Sequence, residues 1–399
     1  MQRRRFFKAV AGHGAAVGGG LIGLPGHAWA QTRSARAAAL ADRILILVEL
    51  KGGNDGLNTV IPYADPTYYQ LRESIAVPRE AGIKLDAGTA LHPALEELLP
   101  LWDKGELAIV QGVGYPQPNL SHFRSIEIWD TASNANEYLG DGWVARAMHS
   151  GFAQRAAFAT EGVVIGGADA GVLTGARAVR LNNPEAFANQ AQAAAAAPMV
   201  RGNMALQHLL RTEANLGAAA HALRSEAYGF ATPFPPGAFG NAVRSAAQVV
   251  ATQRGRAGVP VIVLSLGSFD THQNQPETHA NLLRQLGAGL AALKGALTEL
   301  AAWDRTLVMT FSEFGRRPRQ NGSNGTDHGT AAPHFVTGGA VKGGLYGRAP
   351  DLQRLDSSQN LRHTTDFRQL YATIAVDWWG VDASRVVRGS YDSLNFIRG

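Results

Sequence analysis

The chain has 399 residues, a formal net charge of +5, and no cysteine, which excludes disulfides, thiolate metal ligands and a cysteine nucleophile. Arg3, Arg4, Arg5 and Lys8 lie in the first thirty residues, which hold no acid, so the remainder carries only +1. A nearly neutral body gives no electrostatic case for binding nucleic acid or an anionic membrane.

In chain order, Arg3-Arg4-Arg5-Phe6-Phe7-Lys8 reads as a twin-arginine pattern, and a weakly apolar stretch of about 16 residues follows. That is short of the roughly 20 residues that cross a bilayer. Pro25 breaks it, and Ala28-Trp29-Ala30 offers a small-x-small cleavage site. Residues 1–30 are therefore expected to be a signal peptide read by the twin-arginine translocase. The mature protein would be periplasmic or secreted, with no stable membrane anchor after cleavage. Residues 31–41 look like a tether, and 42–399 like the main domain.

Ile44 to Leu50 is a continuous apolar run ending in a glycine-rich turn, the pattern of a buried parallel strand. Leu95 to Trp102 reads as helix, Leu107 to Val110 as strand, and Val163 to Ile165 as a further strand. Residues 186–230 are alanine-rich and poor in strand formers, which suggests a helical insertion. Val261 to Leu266 is the clearest strand. A helix from about Glu277 to Ala302 follows, with Leu282, Leu286, Leu290, Leu293 and Leu297 at helical spacing. Thr306 to Phe311 is the next strand. Strand, long helix, strand is a βαβ unit, so the expected class is α/β: a mostly parallel central sheet with helices on both faces.

In such sheets ligands bind beyond the carboxyl ends of the strands. Metal-type side chains fall there: Asp55 after the first strand, Asp270 and His272 after the strand at 261–266, Glu313 after the strand at 306–311. Asp327, His328 and His334 come shortly after. Each has an ordinary alternative, since Asp-Gly favours turns and Glu313 could simply pair with Arg316 or Arg317. Their concentration at strand ends favours one shared site. Carboxylates with imidazoles suit zinc or manganese; carboxylates alone would suit calcium or magnesium. After the strand at 107–110, a Gly- and Pro-rich loop leads to Ser121-His122-Phe123-Arg124, which places Ser121 near a helix start. Serine is a favoured N-cap there, and beside a metal it would also serve as a nucleophile.

The stretches LVELKGGNDGLNTVIPY, GVGYPQPNLSHFRSIEIW, GSFDTHQNQ, TFSEFGRRPRQNGSNGTDHG and PHFVTGG resemble a family of twin-arginine-exported proteins, the domain of unknown function numbered fifteen-oh-one. That family is in turn similar to the alkaline phosphatase and sulfatase superfamily. The resemblance covers essentially the whole mature chain, and Thr365 to Ile374 is similar to the segment that closes many sulfatase-like domains. It implies an α/β sandwich holding one or two divalent metals. By order along the chain, Asp55 matches the early acid, Ser121 the nucleophile, Asp270 and His272 the first pair, Glu313 the late-strand acid and His328 the late histidine. Phe314 stands where the superfamily has a histidine. Alternatively Asp327-His328-Gly329 is the superfamily's Asp-His-Gly and His334 the late ligand, with Glu313 behind the metal.

The sequence thus points to an exported metal-dependent hydrolase or transferase acting on a phosphate or sulfate ester, small-molecule or glycan. Asp55, Asp270, His272, Glu313, Asp327 and His328 would hold the metal, Ser121 would attack, and Arg124 or Arg316 would steady the equatorial oxygens. The alternative is a noncatalytic exported scaffold or envelope-binding protein that keeps the fold.

Overall fold

The computed structural model describes residues 42–152, 160–193, 228–253 and 258–398, with a few single positions between them. The expected signal peptide, nearly all of the tether and the central part of the alanine-rich insertion lie outside these residues. Residues 184–193 at the start of that insertion are helical.

Strand β1 (Ile44–Leu50) is buried at every position, as a central parallel strand must be. Its side chains alternate between two cores. Ile44, Ile46, Val48 and Leu50 enter one, and Leu45 and Leu47 enter the other. A short three-stranded sheet, β2 (Val60–Ile61), β3 (Ile83–Lys84) and β4 (Ala90–Leu91), comes next in the chain. The remaining strands are β5 (Leu107–Gly114), β6 (Gly162–Ile165), β7 (Ala178–Leu181), β8 (Val261–Leu266), β9 (Thr306–Phe311), β10 (Ala332–Thr337), β11 (Gly344–Tyr346) and β12 (Thr365–Asp366). The main sheet runs in the order β11-β5-β10-β9-β1-β8-β6-β7, with β12 paired to the far end of β5.

Every pairing in that sheet is parallel except the two made by β10. The reversal positions a loop. Strands β1, β5, β8 and β9 end at one edge, and β10, running the other way, begins there. The long connection from Phe311 to Ala332 therefore never leaves that edge. The expected strands at 44–50, 261–266 and 306–311 appear with those bounds. Strand β5 runs on to Gly114, past the expected Val110, because its second half pairs with β12. The sequence pattern did not reveal β10, because Pro333 and His334 interrupt its apolar run.

Helices cover both faces, as the α/β class requires. On the first face lie Ala238–Ala251 and the long helix Gln275–Glu299, whose Leu282, Leu286, Leu290, Leu293 and Leu297 are all buried. Burying each such side chain stabilises the fold by about 1.5–3 kcal/mol. On the second face lie helices His122–Thr131, Trp143–Ala147 and Phe367–Thr373, packed through Trp129, Trp143 and Tyr371. The expected helix at 95–102 is a 3-10 turn over Pro93–Leu98 running into a short helix over Leu99–Asp103, because Pro93 and Pro100 each lack the amide a continuous α-helix uses.

Candidate metal centre

Three loops at the strand-end edge bring side chains together. The turn after β8 supplies Asp270 and His272. The connection from β9 to β10 supplies Glu313, Arg316, Asp327 and His328. The first residue of helix His122–Thr131 supplies His122.

Close approach of the loops depends on glycine. Gly52, just after β1, has φ +118°, and a Cβ there would lie 2.4 Å from the backbone nitrogen of Asp270. Gly325 is equally constrained, since its Cβ would sit 2.2 Å from the carbonyl carbon of His272. These two positions let the β1 and β9–β10 loops close on either side of the turn after β8.

His122, Asp270 and His328 each present one donor atom, all within 4.8 Å of one another. Asp270 is the hub. Its Oδ1 is 2.9 Å from His272 Nε2 and 3.2 Å from His328 Nε2, and its Oδ2 is 3.5 Å from His122 Nε2. The far nitrogen of each ring meets an oxygen that can only accept. His328 Nδ1 is 2.9 Å from the Leu120 carbonyl, His122 Nδ1 is 2.8 Å from Glu313 Oε1, and His272 Nδ1 is 3.5 Å from Asp327 Oδ1. For His328 and His122 a hydrogen-bond acceptor at Nδ1 favours the proton there, the tautomer that leaves Nε2 free to bind a cation. Three imidazole Nε2 atoms thus gather around one carboxylate, the donor types of a histidine-rich metal site.

The centre is open to solvent: the side chains of Asp270, His272, His122 and His328 are 44, 43, 36 and 24 % exposed. The Phe314 ring forms one wall, 4.9 Å from the His122 ring and 4.6 Å from that of His328. Burial works to raise the Asp270 carboxyl pKa, but the hydrogen bond and charge of Arg316, 2.6 Å away, outweigh it and hold the group below its ordinary value. Asp270 is therefore an anion at neutral pH. Nearby on β1, burial pushes Glu49 up to about 7, against the opposing charge of Lys51 and with a further push from Glu313.

Asp270, His272 and His328, each expected from the sequence, meet in this cluster. Glu313 and Asp327 touch it through the far nitrogens of His122 and His272. Asp55 is elsewhere. It is fully buried, with Arg72 at 2.5 and 2.9 Å from its two oxygens, and Gln275 also donates to it. Arg316 is locked in place, donating to the carbonyls of Gly52, Gly53, Phe269 and Thr326 as well as to Asp270, so it holds the loops and no oxygen of a ligand. Arg124 is turned away too. Its guanidinium donates to the carbonyls of Asn134, Ala135 and Glu137 and stacks on Tyr138, 3.9 Å from the ring centroid. His334 lies buried against Trp129 in the second core, outside the cluster.

Ser121 occupies the N-cap position of helix His122–Thr131 but makes no side-chain cap bond, and it is exposed. It sits between Leu120, whose carbonyl holds His328, and His122 itself. Sequence reasoning passed over His122 in favour of the adjacent serine. The signal was present, a histidine at the first helical position after a strand-end loop, but its long-range partner Glu313 was invisible.

A family model described as a protein of unknown function, DUF1501, matches residues 109–391. No curated protein matches the sequence. Among solved structures, the chain is similar to the C-terminal periplasmic domain of EptC from Escherichia coli, solved in complex with zinc, at 12% identity and a TM-score of 0.39, covering 85% of this chain and 83% of that one. It is similar to the FucS1 sulfatase from Pseudoalteromonas sp. at 11% identity and a TM-score of 0.40, covering 94% and 75%. A protein in the alkaline phosphatase superfamily from Vibrio parahaemolyticus matches at 10% identity and a TM-score of 0.38, covering 86% and 68%.

Proposed function

The chain belongs to the DUF1501 family, and for this member we propose an exported metal-dependent hydrolase or transferase acting on phosphate or sulfate esters. The observation that carries the reading is the convergence of three imidazole Nε2 atoms on Asp270, with the Nδ1 atoms of His122 and His328 each hydrogen-bonded to an oxygen. The Nε2 atoms of His272 and His328 lie 3.1 Å apart, close enough to share one proton or to bind one cation between them. Three imidazoles with one carboxylate are the donor set of zinc more than of calcium or magnesium.

His122, Asp270, His272 and His328 would hold the ion, with Glu313 and Asp327 orienting the rings of His122 and His272. Bound there, it would act as a Lewis acid on a phosphoryl or sulfuryl oxygen. Arg316 keeps Asp270 ionised and holds its carboxylate in one orientation. Ser121 is the nucleophile: its hydroxyl is uncapped, exposed and at the positive end of a helix, which favours the alkoxide. The organic part of the ester is a small molecule or glycan, and the twin-arginine translocase carries the folded protein out of the cytoplasm.

The test begins with elemental analysis of the mature protein prepared with zinc and manganese present, then a screen of phosphate and sulfate esters. Near-stoichiometric metal and turnover on at least one ester class are expected. Ser121→Ala should abolish turnover while keeping its metal. A well-folded, metal-free wild type would sink the reading, and turnover retained in Ser121→Ala would remove the serine from it.

A further inference from the structure

Behind the centre lies a buried polar chain that the proposed chemistry does not use. Arg72 and Asp55 form an ion pair with both side chains fully buried. Gln275, at the first position of the long helix Gln275–Glu299 and also fully buried, donates its Nε2 to Asp55. A carboxylate can only accept, so this contact fixes the amide orientation and leaves Oε1 as an acceptor. Two hydroxyls donate to that oxygen: Thr271 from 3.0 Å and Thr326 from 2.6 Å.

Thr271 sits between Asp270 and His272, and Thr326 is two residues before His328. One amide oxygen therefore ties the turn that carries His272 to the loop that carries His328. Arg72 extends the same tie by donating to the carbonyls of Pro318, at 2.9 Å, and Arg317. Thr271 and Thr326 are buried, at 3 and 0 % exposure, so water cannot replace the contacts.

We propose that Gln275 is a positioning residue whose amide oxygen, bridging Thr271 and Thr326, sets the gap between His272 and His328. Asp55 and Arg72 hold the amide in that orientation. The inference rests on the metal-centre reading and assigns its geometry to a named part of the fold. The two loops are also joined by the Thr326 amide, which donates to the Thr271 carbonyl at 3.1 Å. Losing either hydroxyl therefore leaves them attached but frees the side-chain side of the joint and shifts the 3.1 Å approach of the two Nε2 atoms.

The experiment measures zinc affinity by chelator competition, together with the visible absorption of the cobalt-substituted protein, on the full mature chain. Thr326→Val keeps the shape and removes the hydroxyl; Thr326→Ser keeps the hydroxyl. Thr326→Val should bind zinc about 10–100-fold more weakly, the usual cost of losing an outer contact that orients a ligand, and its cobalt bands should weaken or shift. Thr326→Ser should restore both. Thr271→Val should behave as Thr326→Val does and serves as the reading if the latter does not fold. Zinc affinity and cobalt spectra unchanged in both valine variants, even with a lowered melting temperature, would overturn the bridge and leave the centre standing. A wild type that binds no zinc would overturn both.

Discussion

The Nε2 atoms of His272 and His328 face each other at 3.1 Å, with Oδ1 of Asp270 within 2.9 and 3.2 Å of the two. The rings come from loops 56 residues apart in the chain. Their meeting depends on the direction of β10, which returns the second loop to the edge where β8 ends.

Asp270→Asn removes the charge at the hub and leaves the rings in place. Metal affinity should fall by more than the roughly 10–100-fold that loss of an orienting contact costs. Elemental analysis after dialysis against a weak chelator checks this. Full retention of metal would show that the imidazoles alone suffice.

Glu313→Ala takes the acceptor from His122 Nδ1 and frees that ring to turn or to change tautomer. Here the expected result is partial: zinc still binds, about 10–100-fold more weakly. Competition titration separates this from direct ligation, which would make the loss as severe as in Asp270→Asn.

Asp55→Ala leaves the Arg72 guanidinium buried without its counter-charge. Removing one partner of a buried pair costs about 3–5 kcal/mol, so metal-free protein should lose that much in urea unfolding. An unchanged midpoint would contradict the burial and pairing of the two groups.

Acid should destabilise the protein through histidines buried in the neutral form. Burial holds His334 at about 3 and His92 and His279 at about 4, against an ordinary 6.5. The folded pKa values are depressed, so the stability is fully present above pH 6.5, is lost progressively as pH falls from there, and the loss levels off once pH has fallen through the folded values. At pH 4.5 each such group costs about 2–3 kcal/mol. His334 Nδ1 has no hydrogen-bond partner, so His334→Leu removes the acid-sensitive group without orphaning another. The variant should lose less melting temperature between pH 7 and pH 4.5 than the wild type does. Equal losses would mean that His334 takes up its proton without unfolding.

The sequence by itself determined the central strands and the edge at which chemistry would gather. Val261 to Leu266 and Thr306 to Phe311 are continuous apolar runs with a turn at each end, and a strand buried on both faces needs nothing more. Asp270 and His272 follow from the same logic, since a residue just past a strand lies at that strand's end wherever the strand sits in the sheet. His328, far along the connection after Phe311, is returned to that edge only by the reversed β10. Tertiary structure decided which side chains face one another. Arg72 captures Asp55 across 17 residues, and Glu313 reaches His122 across 191. Spacing fixes the loop on which a side chain rides, but its direction is set by whichever partner the rest of the fold brings within a few ångströms. A buried carboxylate takes the strongest counter-charge it meets, and for Asp55 that was a guanidinium.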